Sequence, residues 1–428
     1  MCDTFFASGK ATVNGSVLLA KNADTEINEA QHLVRFPARD YPKGAAVRVS
    51  HIVIPQARHT HEIIMDKSFW TFGGEIGVNE HGLAIGNEAV FSNQTSEKDG
   101  VILIDILRLI LERAANCDEA VGTVADILDR FGQGGNCELR GNSHFDGSFL
   151  VSDRIGAVII ETAGKNWACR PAGETDAISN IHCITSDWED SSLTATGAGS
   201  DFKALFSDEA TAHNVGANER RQMSFDYLAD RRGEISVRTM ADLLRYTGEG
   251  DYHPMQGERP VRICMHAAPY ENRLWQATGA LISDVRDGVS MAWVTATSGT
   301  DVSIFKPVFC GVDFPDLGPM PRESLTEGAY WWHHEFLHRR VMADYSSIAP
   351  EIRADFESLE DSFFSDADSV MSGSIPEKQA FVTECWRLAE EAESRWLRRL
   401  EKQPYIIADE SYARMWDAFN RAAAIEMS

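Results

Sequence analysis

With 428 residues and 43% apolar side chains, the chain has enough material for one large or two ordinary globular domains. Its 65 acidic against 40 basic residues give a formal charge of −25 and leave no Lys/Arg-rich stretch to neutralise a phosphate backbone, which argues against nucleic acid as a partner. No apolar run approaches the roughly 18 residues that a membrane-crossing helix needs, and the eight cysteines include no C-x-x-C pair of a zinc ribbon or thioredoxin-type site.

The first ten residues, "MCDTFFASGK", lack a basic segment followed by an apolar one, so the expected location is cytoplasmic, with no membrane partner. From Cys2 to about Phe91 the pattern is short β-type runs broken by turn signals, which predicts a sheet assembled from hairpins and meanders. Two helices follow. "ILIDILRLILERAA" carries an apolar stripe, and "CDEAVGTVADILDRFG" opens acidic and ends at glycine; together they are expected to cover one sheet face. A second β block runs from about His144 to Thr185, where "GSFLVSDRIGAVIIETAGKNWACRP" reads as a hairpin, and further strands are expected at "VRICMH" and "GVSMAWVTATSG".

The Ser/Thr/Gly-rich "SSLTATGAGSDF" reads as a loop, followed by a polar helical stretch through Arg245. From about Glu327 the chain turns to long amphipathic helices. Strands, helices, strands and helices in that order point to an α+β class with two sheets packed between helical layers. The expected division is residues 1–325 for the layered domain and 326–428 for a helical region packed on it.

Cys2 carries the most chemistry. If Met1 is removed, Cys2 presents a thiol and a free α-amine, a nucleophile and a base in one residue. The thiol, of ordinary pKa about 8.5, is mostly protonated at neutral pH, and an amine of pKa about 7.7–8.0 can take its proton. "LLAKNADTEINEAQ" places Lys21, Asn22 and Asp24 just past the expected second strand, where antiparallel pairing brings them toward Cys2. A lysine there favours the thiolate and a carboxylate orients the amine. The plainer alternative is a buried thiol beside an exposed turn ion pair.

Cys2 behind Met1, "AKNAD", "EAQ" at Glu29 to Gln31, "HGLAIGNEAV" and "SGTDVSIFKPVF" together resemble the secernins and their related thiol dipeptidases, more distant relatives of bile salt hydrolases and penicillin V acylases. The resemblance implies an N-terminal nucleophile (Ntn) hydrolase with a four-layer αββα sandwich and an amino-terminal cysteine released by processing. It places the nucleophile at Cys2, an aspartate that positions the terminal amine at Asp24, and Lys21 where the acylases carry arginine. It matches Asn87 and Asn180 to two asparagines that assist the oxyanion and orient the nucleophile. Thr25 stands where an arginine is expected after the N-x-D motif, and Arg262 is the candidate for a second, substrate-binding arginine.

A competing motif is His334-Glu335-Phe336-Leu337-His338, a literal H-E-x-x-H that on a helix could hold zinc, with Glu357 or Glu360 as third ligand. A similar run accompanies the cysteine chemistry in the group resembled. His51, His59, His61 and His266 read as hydrogen-bonded structural histidines.

The function expected is therefore a cysteine amidohydrolase acting on dipeptides or other small amides, through a thioester on Cys2, with no cofactor, either as a monomer or as a homo-oligomer. The alternatives are a secernin-like binding protein without turnover and a zinc peptidase.

Overall fold

A computed structural model describes residues 2–193, 199–248, 252–255, 261–269, 273–286 and 288–427. Its strands in chain order are β1 (Asp3–Ala7), β2 (Val17–Glu26), β3 (Gln31–Phe36), β4 (Arg39–Asp40), β5 (Ala46–Arg48), β6 (Val53–Pro55), β7 (His59–Thr60), β8 (Ile63–Ser68), β9 (Ile76–Asn79) and β10 (Ala84–Val90). They continue as β11 (Asp146–Ser152), β12 (Ala157–Ala163), β13 (Asn166–Pro171), β14 (Thr175–Ile178), β15 (Asp190–Ser191), β16 (Trp275–Arg286), β17 (Val289–Val294) and β18 (Lys306–Val308).

Two antiparallel sheets take most of them. One has the order β14-β1-β2-β16-β17-β18 and the other β15-β13-β12-β11-β10-β9-β8-β3; β4 pairs with β7 and β5 with β6 as small ribbons. The sheets pack face to face. Strand β1, "DTFFA", is buried throughout because it has a sheet on one side and helices on the other. Alternation sends Thr4 toward the second sheet, where its hydroxyl donates to Glu88 Oε1 at 2.6 Å. Asp3 turns the opposite way, to an arginine on the covering helix. The wholly buried Phe5 and Phe6 each contribute roughly 2 kcal/mol of apolar burial.

The close approach of the sheets depends on Gly86 in β10. A Cβ there would lie 2.5 Å from Thr4 Oγ1 and 2.7 Å from Lys21 Cδ, so the position has no room for a side chain.

Helices α1 (Leu103–Arg113) and α2 (Cys117–Arg130) cover the second sheet, burying Leu107, Ile110, Val124 and Ile127 against Ile85, Phe149 and Ile160. Asn116 caps α2 by accepting from the Glu119 N–H. Helices α3 (Phe202–Phe206), α4 (Glu209–Asn214), α5 (Ala217–Ala229) and α6 (Val237–Leu244) follow, with α5 on β1 and β14 and α6 on β2 and β16. This is the αββα sandwich. Helices α7 (Tyr330–Ala343), α8 (Tyr345–Met371), α9 (Ile375–Leu400) and α10 (Glu410–Ala422) complete the chain, with α8 and α9 against β17 and β18. None of the described helices is long and apolar enough to cross a membrane.

Four expectations change. The residues up to Phe91 do not form one sheet: β1 and β2 belong to the first, and β3, β8, β9 and β10 to the second. The hairpin expected over 147–171 is a three-strand meander, β11 to β13. "VRICMH" is not a strand, since the Ile263 and Cys264 N–H groups both donate to the Tyr246 carbonyl. The strand beside β2 is β16, "WQATGALISDVR", which the polarity pattern does not reveal. It is buried almost throughout and kinked by a bulge between Ala277 and Gly279, so it shows no alternation. Part of the "SSLTATGAGSDF" loop, residues 194–198, lies outside the described residues.

Candidate active site

Cys2 immediately precedes β1 and is 5% exposed. The antiparallel register sets Asp3 opposite Asn22 in β2, and Thr4 opposite Ile178 in β14 on the other flank. Asp24 on one side and Asn180 on the other, each just beyond those pairs, therefore meet at the cysteine. The Cys2 main-chain nitrogen donates to Asn180 Oδ1 at 2.9 Å, and the Asp24 N–H donates to the Cys2 sulfur at 3.3 Å. Asn180 donates its own NH₂ to the Ala89 carbonyl at 2.8 Å, an anchor that fixes which way the amide points.

Burial pushes the Cys2 thiol up to about 11, against the opposing pull of Lys21. That lysine is wholly buried and donates to the Asn22 carbonyl at 3.0 Å. Its ammonium is 3.8 Å from Glu75 Oε2 and 3.9 Å from Glu88 Oε1. Burial alone would lower the lysine, but the Cys2 sulfur, Glu88 and Glu75 hold it above its ordinary range. Burial also pushes Asp24 up to about 7. Both Asp24 carboxylate oxygens lack a hydrogen-bond partner, and the residue is 5% exposed.

A cavity of about 800 Å³ opens beside these groups, lined by Cys2, Asp24, Glu29, Glu75, Asn180 and Arg220 among others. Of the residues singled out in the sequence, Cys2, Asp24, Thr25, Glu29, Asn180 and Arg262 line it, and Lys21 lies behind its wall. Asn87 does not line it. Gly86 and Glu88 face the first sheet, so alternation turns Asn87 the other way, where its NH₂ reaches the Gly74 carbonyl at 3.4 Å.

Sequence reasoning missed Arg220 and Glu75. Arg220, on α5, donates to Asn180 Oδ1 at 2.6 Å and to Asp3 Oδ2 at 2.8 Å, so it is the arginine that braces the residue holding Cys2. Arg262 instead lies over the Tyr252 ring, 4.5 Å from its centroid. Nothing in the polar "ANERRQ" run distinguishes Arg220 from the exposed residues around it. Glu75 Oε2 is 4.0 Å from the Cys2 sulfur.

The H-E-x-x-H helix is committed to packing. His334 bonds the Ser298 carbonyl at 2.9 Å, Glu335 pairs with Arg339 at 2.9 Å and with His338 at 3.3 Å, and Glu360 is held by Arg245 at 2.6 Å. Among the described residues, ligand-type atoms gather closely enough for a metal ion at His59, His61 and Glu80 and at Cys264, His266 and Asp301, but not at His334 and His338. His51 and His59 bond the Asn136 carbonyl and Asp40, and His266 pairs with Asp301 at 3.2 Å.

Residues 11–135, which carry Lys21, Asp24, Glu75 and Asn87, match the family model of acyl-coenzyme A:6-aminopenicillanic acid acyl-transferase. Two variants of conjugated bile acid hydrolase from Clostridium perfringens superpose with a TM-score of 0.44, at 12% and 10% identity. The alignments cover 73% and 72% of this chain and 93% of each of theirs. The Caenorhabditis elegans orthologue of N-acylethanolamine-hydrolyzing acid amidase superposes with a TM-score of 0.34 at 11% identity, covering 66% of this chain and 92% of its own. The acyl-transferase match takes in β2 of the first sheet, strands β3 and β8 to β10 of the second, and the helices α1 and α2 that cover it, and over that stretch the chain is similar to that family.

Proposed function

We propose that this protein is a cysteine amidohydrolase of the N-terminal nucleophile type, acting on dipeptides or similarly small amides. The observation that carries this reading is a thiol that does not ionise by itself beside a buried carboxylate that has no partner. Removal of Met1 would put a free α-amine on Cys2 itself. The new α-amine is a base joined to the thiol-bearing residue, and its ammonium form is a counter-charge for Asp24.

In the reaction, the Cys2 amine, held by Asn180 Oδ1, takes the thiol proton as the sulfur attacks the substrate carbonyl. The resulting ammonium returns that proton to the leaving amine as the C–N bond breaks, leaving a thioester on Cys2. Water, deprotonated by the same amine, then attacks the thioester; the acid product leaves and the thiol is restored. Lys21 favours the thiolate as it forms. With its NH₂ engaged by Ala89, Asn180 is suited to orienting the amine rather than to stabilising an oxyanion.

The test is intact mass and turnover together. The purified protein is expected to lack Met1 and to hydrolyse dipeptides, and Cys2→Ala is expected to abolish hydrolysis without unfolding the chain. Full hydrolytic rate in Cys2→Ala would end this reading, and an intact Cys2 with no turnover of any small amide would favour a binding protein.

A further inference from the structure

Cys264, His266 and Asp301 form a cluster that the reaction at Cys2 does not use. Each is at most 1% exposed. The Cys264 sulfur is 3.4 Å from Asp301 Oδ1 and 3.9 Å from His266 Nε2, and that nitrogen is 3.2 Å from the same oxygen. A thiol, an imidazole and a carboxylate are the three side-chain types that bind zinc.

The surrounding groups fix how these three point. The other Asp301 oxygen, Oδ2, accepts from the Tyr345 hydroxyl and from Arg353 at 2.8 Å, so the carboxylate is held with Oδ1 turned to the sulfur and the imidazole. Asn22 of β2 donates to the Ile263 carbonyl at 3.2 Å and accepts from the Thr300 hydroxyl at 2.9 Å. The residues just before Cys264 and Asp301 are thereby tied to one strand. Outer partners of this kind orient the ligands of a metal.

The spacing suits an ion. A triangle with these sides has a point about 2.1 Å from every corner, against about 2.0–2.2 Å from zinc to nitrogen or oxygen and about 2.3 Å to sulfur. Without an ion, the thiol and the imidazole crowd onto one oxygen, and the nitrogen contact lies at the long end of the hydrogen-bond range. As the metal–sulfur bond forms, the Cys264 thiol gives its proton to solvent. The thiolate and the Asp301 carboxylate then offset the two charges of the ion.

The geometry points to a structural zinc site at Cys264, His266 and Asp301 that ties a wall of the active-site cavity to the C-terminal helices. Met265, between two of the ligands, lines the cavity beside Cys2, and Asp301 is bound by Tyr345 and Arg353 of α8. The ion is a fastener and touches no reacting atom. Because its ligands are buried, a chelator does not reach it in the folded protein.

Elemental analysis and zinc-edge X-ray absorption test this on the purified protein, grown with zinc and dialysed against a chelator to clear surface ions. About one zinc per chain is expected, bound by a single sulfur and otherwise by nitrogen and oxygen. Protein grown with cobalt in place of zinc should show thiolate-to-cobalt charge-transfer absorption. Cys2→Ala and His61→Ala should keep that band, Cys264→Ala should lose it, and His266→Gln should lower the metal content by about tenfold or more. The inference is overturned by a chain free of both metals, by a metal shell of nitrogen and oxygen alone, by a band that survives Cys264→Ala or vanishes in Cys2→Ala, or by full metal content in His266→Gln. The elemental and absorption measurements use the unaltered chain, so they decide the matter even where a variant fails to fold.

Discussion

Asp24 gives its main-chain N–H to the Cys2 sulfur at 3.3 Å, while its own carboxylate, 5% exposed, meets no donor. A buried acid without a partner costs stability, and a chain that retains one has a use for its charge. Asp24→Asn is expected to lower kcat/KM for dipeptide hydrolysis by about 100-fold or more, on the scale of a lost orienting charge in acid–base catalysis. The unfolding midpoint should stay equal or rise. Steady-state kinetics and thermal unfolding on the same preparation check both.

Stability should fall as pH rises from about 4 to 8. Burial raises Asp24, Asp66 and Glu29 to about 7 and Glu88 to about 8. Between their unfolded pKa values near 4 and those folded values, the folded state binds more protons than the unfolded one, so the slope of unfolding free energy against pH is negative. The benefit is complete below the unfolded pKa values and lost through the folded ones. Glu88→Gln should flatten the upper end of that decline, measured as urea midpoints across the range.

Gly86→Ala should be destabilising by about 1–3 kcal/mol, because the new methyl overlaps Thr4 Oγ1 and Lys21 Cδ at 2.5 and 2.7 Å. The same clash pushes on Lys21, so activity should fall further than the loss of folded protein explains. Denaturant unfolding together with active-site thiol labelling separates the two effects.

Glu360 on α8 accepts from Arg245 at 2.6 and 2.8 Å, from Arg238 at 3.2 Å and from the Phe305 N–H at 2.7 Å. Arg245 is 3% exposed and follows α6. Glu360→Ala leaves that guanidinium to the Thr300 and Ser303 carbonyls and to Glu357 at 3.9 Å, in place of a two-pronged carboxylate, and is expected to cost about 3 kcal/mol. Because these bonds join the C-terminal helices to the sandwich, limited proteolysis should then begin within 326–428.

A strong chelator should leave dipeptide hydrolysis unchanged, since the His334 and His338 rings are buried in packing contacts of α7 and Glu360 is bound by arginine. Complete loss of activity after metal removal would reinstate the zinc reading.

How much of this was legible in the chain depends on the range of the interaction. Cys2, Lys21 and Asp24 could be associated because one hairpin joins them, and hairpin register follows from strand and turn pattern. The helices over 103–130 and beyond 330 were legible from their apolar periodicity. Strand β16 was hidden because burial on both faces removes alternation, and Arg220 because a polar helix gives no sign of which arginine points inward.

The sequence by itself singled out Cys2 with Lys21 and Asp24 one hairpin away, together with an order of strands, helices, strands and helices. Only the tertiary structure decided that Asn180 and Arg220 arrive at Cys2 from 178 residues along the chain and from the covering helix, that Asn87 faces away, and that Glu75 stands beside the sulfur. Local propensity carries about one turn or one hairpin of information. Which distant side chains share a cavity is set by how two sheets and their helices pack, and that is a property of the whole chain.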